Sequence, residues 1–152
     1  MKLKTILLSG ILLFIQYSNA YEPMTEERRL KYIMAVLPDF VSSANYCALI
    51  QYTSVEIAPH EINYEEKQIY HAKVLETFRG PKYKNITFTT STEVGDGTGI
   101  NTTPVVITLC HNKEGLWGLG IGSEYPAIKE VIDATKKIVE KTKDQREFEF
   151  CK

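Results

Sequence analysis

From Tyr46 to Ile121 the chain is a series of short β-type runs separated by turn signals, with one helical stripe before it and another after it. This pattern restricts the fold more than any other feature, because strands that follow one another through short turns pair antiparallel. Tyr46 to Ile57 alternates Tyr46, Ala48, Ile50 and Tyr52 with Cys47, Leu49, Gln51 and Thr53. Both faces start apolar, which predicts a strand that is central at its beginning. Lys67 to Phe78 is the second long run, closed by the turn signal Arg79-Gly80-Pro81. Lys84 to Val94 follows. Eight of the fourteen threonines fall between Thr87 and Thr108, which favours strand over helix there. Pro104 to Cys110 is nearly all apolar, His111 to Gly115 reads as a hairpin loop, and Leu116 to Ile121 returns as a strand.

The flanking stripes have helical spacing. Leu30, Ile33, Met34 and Leu37 share one face, with Thr25 as N-cap and Glu26 and Glu27 at the positive helix end. Pro38 is expected to stop this helix, leaving a short turn from Asp39 to Ala44. Residues 126–143 form the second helix, with Pro126 suited to its first position and Ser123 near enough to cap. Its predicted buried stripe is Ile128, Val131, Ile132, Thr135, Ile138 and Val139. The tail ends Phe148-Glu149-Phe150-Cys151, either a last strand or a frayed end. The expected class is α+β, mainly antiparallel: a five-stranded small barrel or curled meander with an N-terminal and a C-terminal helix.

The first twenty residues stand apart. Lys2 and Lys4 precede an apolar run from Ile6 to Ile15, and Ser18-Asn19-Ala20 places small residues before a cut at Tyr21. This is the tripartite pattern of a secretory signal peptide, with an apolar run about half the roughly 20 residues that span a bilayer. The expectation is a cleaved leader at 1–20, one globular domain at 21–152, and a secreted or periplasmic location with no stable membrane anchor. Cleavage leaves 132 residues and takes Lys plus Arg from 18 to 16 against 19 acids, a net charge of −3. A chain with no positive surplus has little to release counterions from nucleic acid, so no nucleic-acid partner is expected.

The run Val74-Leu75-Glu76-Thr77-Phe78-Arg79-Gly80, leading into the threonine-rich strand, and the later Val105-Val106-Ile107-Thr108-Leu109-Cys110 before a glycine-rich hairpin resemble a known arrangement. It is the five-stranded oligonucleotide/oligosaccharide-binding (OB) barrel of secreted netrin-like domains, which include metalloproteinase inhibitors of the tissue-inhibitor type. The resemblance covers Tyr46 to Pro126 and is one of element pattern. Those inhibitors begin with a cysteine whose amine and carbonyl chelate the target's zinc. Here the mature start is Tyr21-Glu22-Pro23, so inhibition by that route is not implied. The barrel implies that its first strand pairs antiparallel with its fourth, bringing Cys47 near Cys110. Export places Cys47, Cys110 and Cys151 in an oxidising compartment where one bridge can form. Cys47–Cys110 is the favoured pair, with Cys151 as the alternative partner of either.

No residue pattern indicates catalysis, metal binding or a cofactor. His60, His71 and His111 lack zinc spacings, and no serine sits in a nucleophile elbow. Gly95-Asp96-Gly97-Thr98-Gly99 lacks the lysine or helix start of a phosphate cradle. A loop on a rigid barrel is nonetheless a usual place for recognition, and Glu93, Asp96 and Asn101 are its polar members. Trp117 is expected to pack in the barrel; the alternative exposes it with Tyr125 as an anchor for a partner. Asn85-Ile86-Thr87 and Asn101-Thr102-Thr103 match the N-glycosylation acceptor pattern. The expected function is that of an exported, non-enzymatic protein that binds a protein partner, as an inhibitor or immunity-type protein does. The alternatives are a secreted hydrolase with an unrecognised site and a component of a surface assembly.

Overall fold

The computed structural model describes residues 23–58, 65–95, 99–119 and 123–151; the expected leader at 1–20 lies outside them. The elements are α1 (Glu26–Ser43), β1 (Tyr46–Ala58), β2 (Glu65–Arg79), β3 (Asn85–Glu93), β4 (Val105–Asn112), β5 (Gly115–Gly118), β6 (Glu124–Pro126), α2 (Lys129–Lys141) and a 3-10 turn at Glu149–Cys151. The sheet order is β1-β2-β3-β5-β4-β6, and β4 also pairs with β1. That last pairing closes a five-stranded barrel, so the chain is an α+β barrel of OB type and not a meander. All pairings are antiparallel except β3 with β5, which is parallel over Phe88–Leu116 and Thr89–Trp117. β6, three residues long, was not foreseen; it adds to β4 outside the ring.

Alternation splits β1 and β4 between two cores. Tyr46, Ala48, Ile50 and Tyr52 join Val105, Ile107 and Leu109 inside the barrel with Ala72, Ile86, Phe88 and Leu116. Cys47 and Val106 face outward, where Ile33, Leu37 and Val41 of α1, Val131 of α2 and Tyr125 form the second core. A strand buried on both faces needs apolar residues at every position, and β4 is buried from Val105 through Cys110. β1 is likewise central only at its start: Tyr46–Ile50 pairs with β4, while β2 runs beside it to Ala58.

Helix α1 continues through Pro38, contrary to expectation. Its apolar stripe runs on at Ile33, Leu37 and Val41, the last two fully buried, and this tertiary burial outweighs the backbone bond that proline removes. α2 starts at Lys129 and not at Pro126, which lies in β6; Ile128 is its N-cap, without a side-chain cap bond. Ser123 does not cap it: the Ser123 carbonyl accepts from the Thr108 amide at 2.9 Å.

Gly80 closes the β2 end of the barrel at φ +90°, and a Cβ there would lie 2.8 Å from Tyr46 Cδ2. Only glycine fits so near the ring in that conformation. Arg79, just before it, ties the helix layer together. Its guanidinium donates to the carbonyls of Val41 and Ala44, the latter at 2.8 Å, and to the Thr142 hydroxyl.

The bridge joins Cys110 to Cys151, with Cα atoms 5.2 Å apart. The favoured Cys47–Cys110 pair is therefore corrected: Cys47 is a free, buried thiol. The β1–β4 pairing was anticipated, but its register sets Cys47 opposite Thr108. Cys110 is thus a diagonal neighbour of Cys47, at a separation of roughly 7–8 Å that a disulfide does not span. The tail supplies the partner. It is neither a strand nor frayed, but a 3-10 turn held by the bridge and by Phe150 against Phe40, ring centroids 5.3 Å apart.

Candidate functional site

A groove of about 500 Å³ lies between the helix layer and the outer face of the barrel. β1 gives it Leu49 and β2 gives it Leu75; Val105 and Pro126 come from β4 and β6, and Ile128 and Ile132 from the start of α2. Arg29 of α1, Glu124 of β6 and Asn101 of the loop before β4 are its polar members. An apolar cleft of this size with a few convergent polar groups is the usual form of a binding site. Leu75 is 42% exposed and Ile128 38%, so the lining is open to solvent. Ile128 was expected in the buried stripe of α2; as the N-cap it lies at the mouth of the groove instead.

Local contacts fix this lining. The Asn101 carboxamide oxygen accepts from the Thr103 amide at 3.0 Å and from its hydroxyl at 2.6 Å, which folds the loop onto itself. The Gln51 side chain donates to the Thr102 carbonyl at 3.0 Å and holds that loop against β1. Glu124 accepts from the Tyr52 hydroxyl at 2.6 Å. Burial, and then the Glu124 carboxylate, push the Tyr52 phenol above its ordinary pKa, so Tyr52 stays a donor.

The anticipated partner-binding residues do not form one surface. Asn101 lines the groove, while Glu93 is exposed at the far end of β3. Asp96 lies outside the described residues, as does His60. Tyr125 also lines the groove, but not as an exposed anchor: it is 3% exposed, packs edge-on to Phe40 at 6.3 Å and belongs to the second core. Its hydroxyl has no hydrogen-bond partner among the described residues, and burial raises its pKa. Trp117 is not part of the barrel core, because Leu116 takes the inward position and its neighbour faces the other way. The indole is half-buried in a shallow polar depression with Lys67, Thr89, Thr90 and Ser91. Sequence reasoning missed Leu75, Ile128 and Arg29, since no local pattern links residues of β2, α2 and α1.

One further cluster stands on the outer face of β1, β2 and β3. The His71 ring contacts a Glu56 carboxylate oxygen through Nε2 at 3.2 Å and the Thr87 hydroxyl through Nδ1 at 3.0 Å. An acid, an imidazole and a hydroxyl in line are the groups that nucleophilic catalysis uses. Here they lie on the exposed face of three strands. Among the described residues no group of histidine, cysteine and acidic side chains is placed to hold a metal ion. No protein-family model, curated protein or solved structure matches this chain.

Proposed function

We propose that the protein is exported through its leader and acts by binding a protein partner, without catalysis, as an inhibitor or immunity-type protein does. The observation that carries this reading is the open apolar groove whose lining residues, Leu75 and Ile128 among them, come from a closed barrel and a helix. A preorganised cleft loses little freedom when an apolar side chain of a partner enters it. Kinship with netrin-like domains is proposed with it, supported by the five-stranded barrel alone. The hydrolase reading rests on Glu56, His71 and Thr87; of these, Thr87 borders a small open depression of about 210 Å³ that includes His111 but neither Glu56 nor His71.

The test is capture of exported proteins from the source cell on the immobilised mature chain. The expected result is a saturable partner whose capture fails with Ile128→Glu, a change at an exposed position. Absence of any saturable partner would overturn the reading, and equal capture by the variant would remove the groove from it.

A further inference from the structure

Beyond Ile50, β1 leaves β4 and keeps only β2 as a described neighbour. Among the described residues, Ser54–Ala58 therefore has one row of backbone amides and carbonyls without a strand partner, beside a three-stranded arm made with β2 and β3. Natural edges of this kind carry lysine, proline or bulges that discourage pairing. Ser54-Val55-Glu56-Ile57-Ala58 has no lysine and no proline, and its nearest register shift is before Ser54. Val55 and Ile57 face the same side as Tyr70 and Gln68, and Ile57 is 54% exposed. Glu56, on the other side, is the edge's only charged residue. The arm around it carries Glu56, Glu66 and Glu93 against Lys67, and one oxygen of the exposed Glu56 carboxylate contacts His71 at 3.2 Å.

We propose that the Ser54–Ala58 edge of β1 is a strand-addition site for an extended, basic segment of a partner protein, with apolar residues against Val55 and Ile57 and a lysine or arginine beside Glu56. Main-chain bonds to such an edge supply affinity, and alternate side chains supply specificity. Charge selects a foreign strand over a second copy of this chain. Antiparallel self-pairing of Ser54–Ala58 would set Glu56 opposite Glu56, and like charges directly opposite are destabilising. The inference rests on the reading of the molecule as a protein binder, but none of these five residues lines the groove.

The probe is a capped heptapeptide alternating lysine and valine between terminal threonines, added to the whole mature protein and followed by NMR and amide exchange. Binding should protect amides within Ser54–Ala58. A scrambled peptide of the same composition and one with glutamate for lysine should not bind. Glu56→Lys should weaken the basic peptide about fivefold, the upper range for one cross-strand charge pair, and admit the acidic one. Failure of the basic peptide to bind, equal binding of the scrambled one, protection elsewhere, or edge protection that grows with protein concentration alone would each overturn the proposal. Ile128→Glu should leave peptide binding unchanged, so partner capture that survives in that variant sinks only the groove, and loss of peptide binding with capture intact in the wild type sinks only the edge.

Discussion

At the scale of single residues, Arg79 contributes most to holding the parts in place. The last carbonyls of a helix have no intrahelical partner and carry the negative end of its dipole. Arg79 meets the end of α1 at Val41 and Ala44, reaches Thr142 just past α2, and lies 5.2 Å from the centre of the Phe148 ring. Burial lowers its pKa, yet it stays charged at any ordinary pH. Arg79→Met keeps the stem and removes the donors. It should cost about 2–3 kcal/mol, because charged hydrogen bonds are lost and buried carbonyls are left unpaired. A fall in the urea midpoint at unchanged slope would show it; a midpoint equal to wild type would disprove the role.

Cys47 is the residue whose chemistry the fold suppresses. Burial pushes its thiol up to about 12, with Arg79 pulling the other way. The unfolded thiol ionises near 8.5. Between these values the unfolded chain releases a proton that the native protein keeps, so stability falls as pH rises, by about 1.4 kcal/mol per unit. Below pH ~8.5 this contribution is flat. Urea midpoints from pH 7 to 10 should decline above 8.5, and the decline should be shallower in Cys47→Ala. Parallel curves for the two proteins would contradict the burial of this thiol.

Among the elements, α1 shows tertiary burial overriding a local signal. Leu37 and Val41, one turn apart on either side of Pro38, are both fully buried, and the Ser42 hydroxyl donates to the Pro38 carbonyl at 2.6 Å. Pro38→Ala restores an amide donor in the middle of the helix. A gain of about 1 kcal/mol is expected, since the restored bond exceeds the unfolded-state freedom that alanine returns. A thermal midpoint that drops would mean that the proline shapes the helix-to-sheet contact. The strands were legible for the opposite reason. From Val105 to Cys110, β4 is apolar except for Thr108 because both its faces are buried there, and so long an apolar run is visible locally. β6 was not legible: three residues have too short a period to register, and only the edge of β4 makes them a strand.

Over the whole molecule, the Cys110–Cys151 bridge closes a span of 41 residues between the barrel and the end of the chain. Loop-closure entropy for such a span corresponds to about 4 kcal/mol. Cys110→Ser with Cys151→Ser should lower the urea midpoint accordingly and speed amide exchange from Asp144 to Cys151 first, because beyond the bridge that tail has the Gln145 hydrogen bond to the Ser42 carbonyl and ring contacts of Phe148 and Phe150. A double variant as stable as wild type would show that packing alone retains the tail. The groove also belongs to this scale. Arg29, Leu75, Asn101 and Ile128 meet only after the barrel closes and both helices dock. Of the residues anticipated for recognition, Asn101 and Tyr125 both reach the groove; Asn101 could be placed because it sits on a loop, whereas Tyr125, three residues past a glycine-rich stretch, gave no local sign of its burial.

By itself the sequence determined the periods: two at the strands, helical at each flank, and a glycine where φ is +90°. These are set by backbone geometry and by which side chains must leave water, both local properties. Only the tertiary structure decided which thiol Cys110 meets, that α1 passes through Pro38, which side of β5 carries Trp117, and that β1 outruns β4 and leaves an edge. Those outcomes depend on register between strands far apart in sequence. A register shift of two residues preserves every face and so leaves no trace in the pattern, yet it moves a cysteine by about 7 Å.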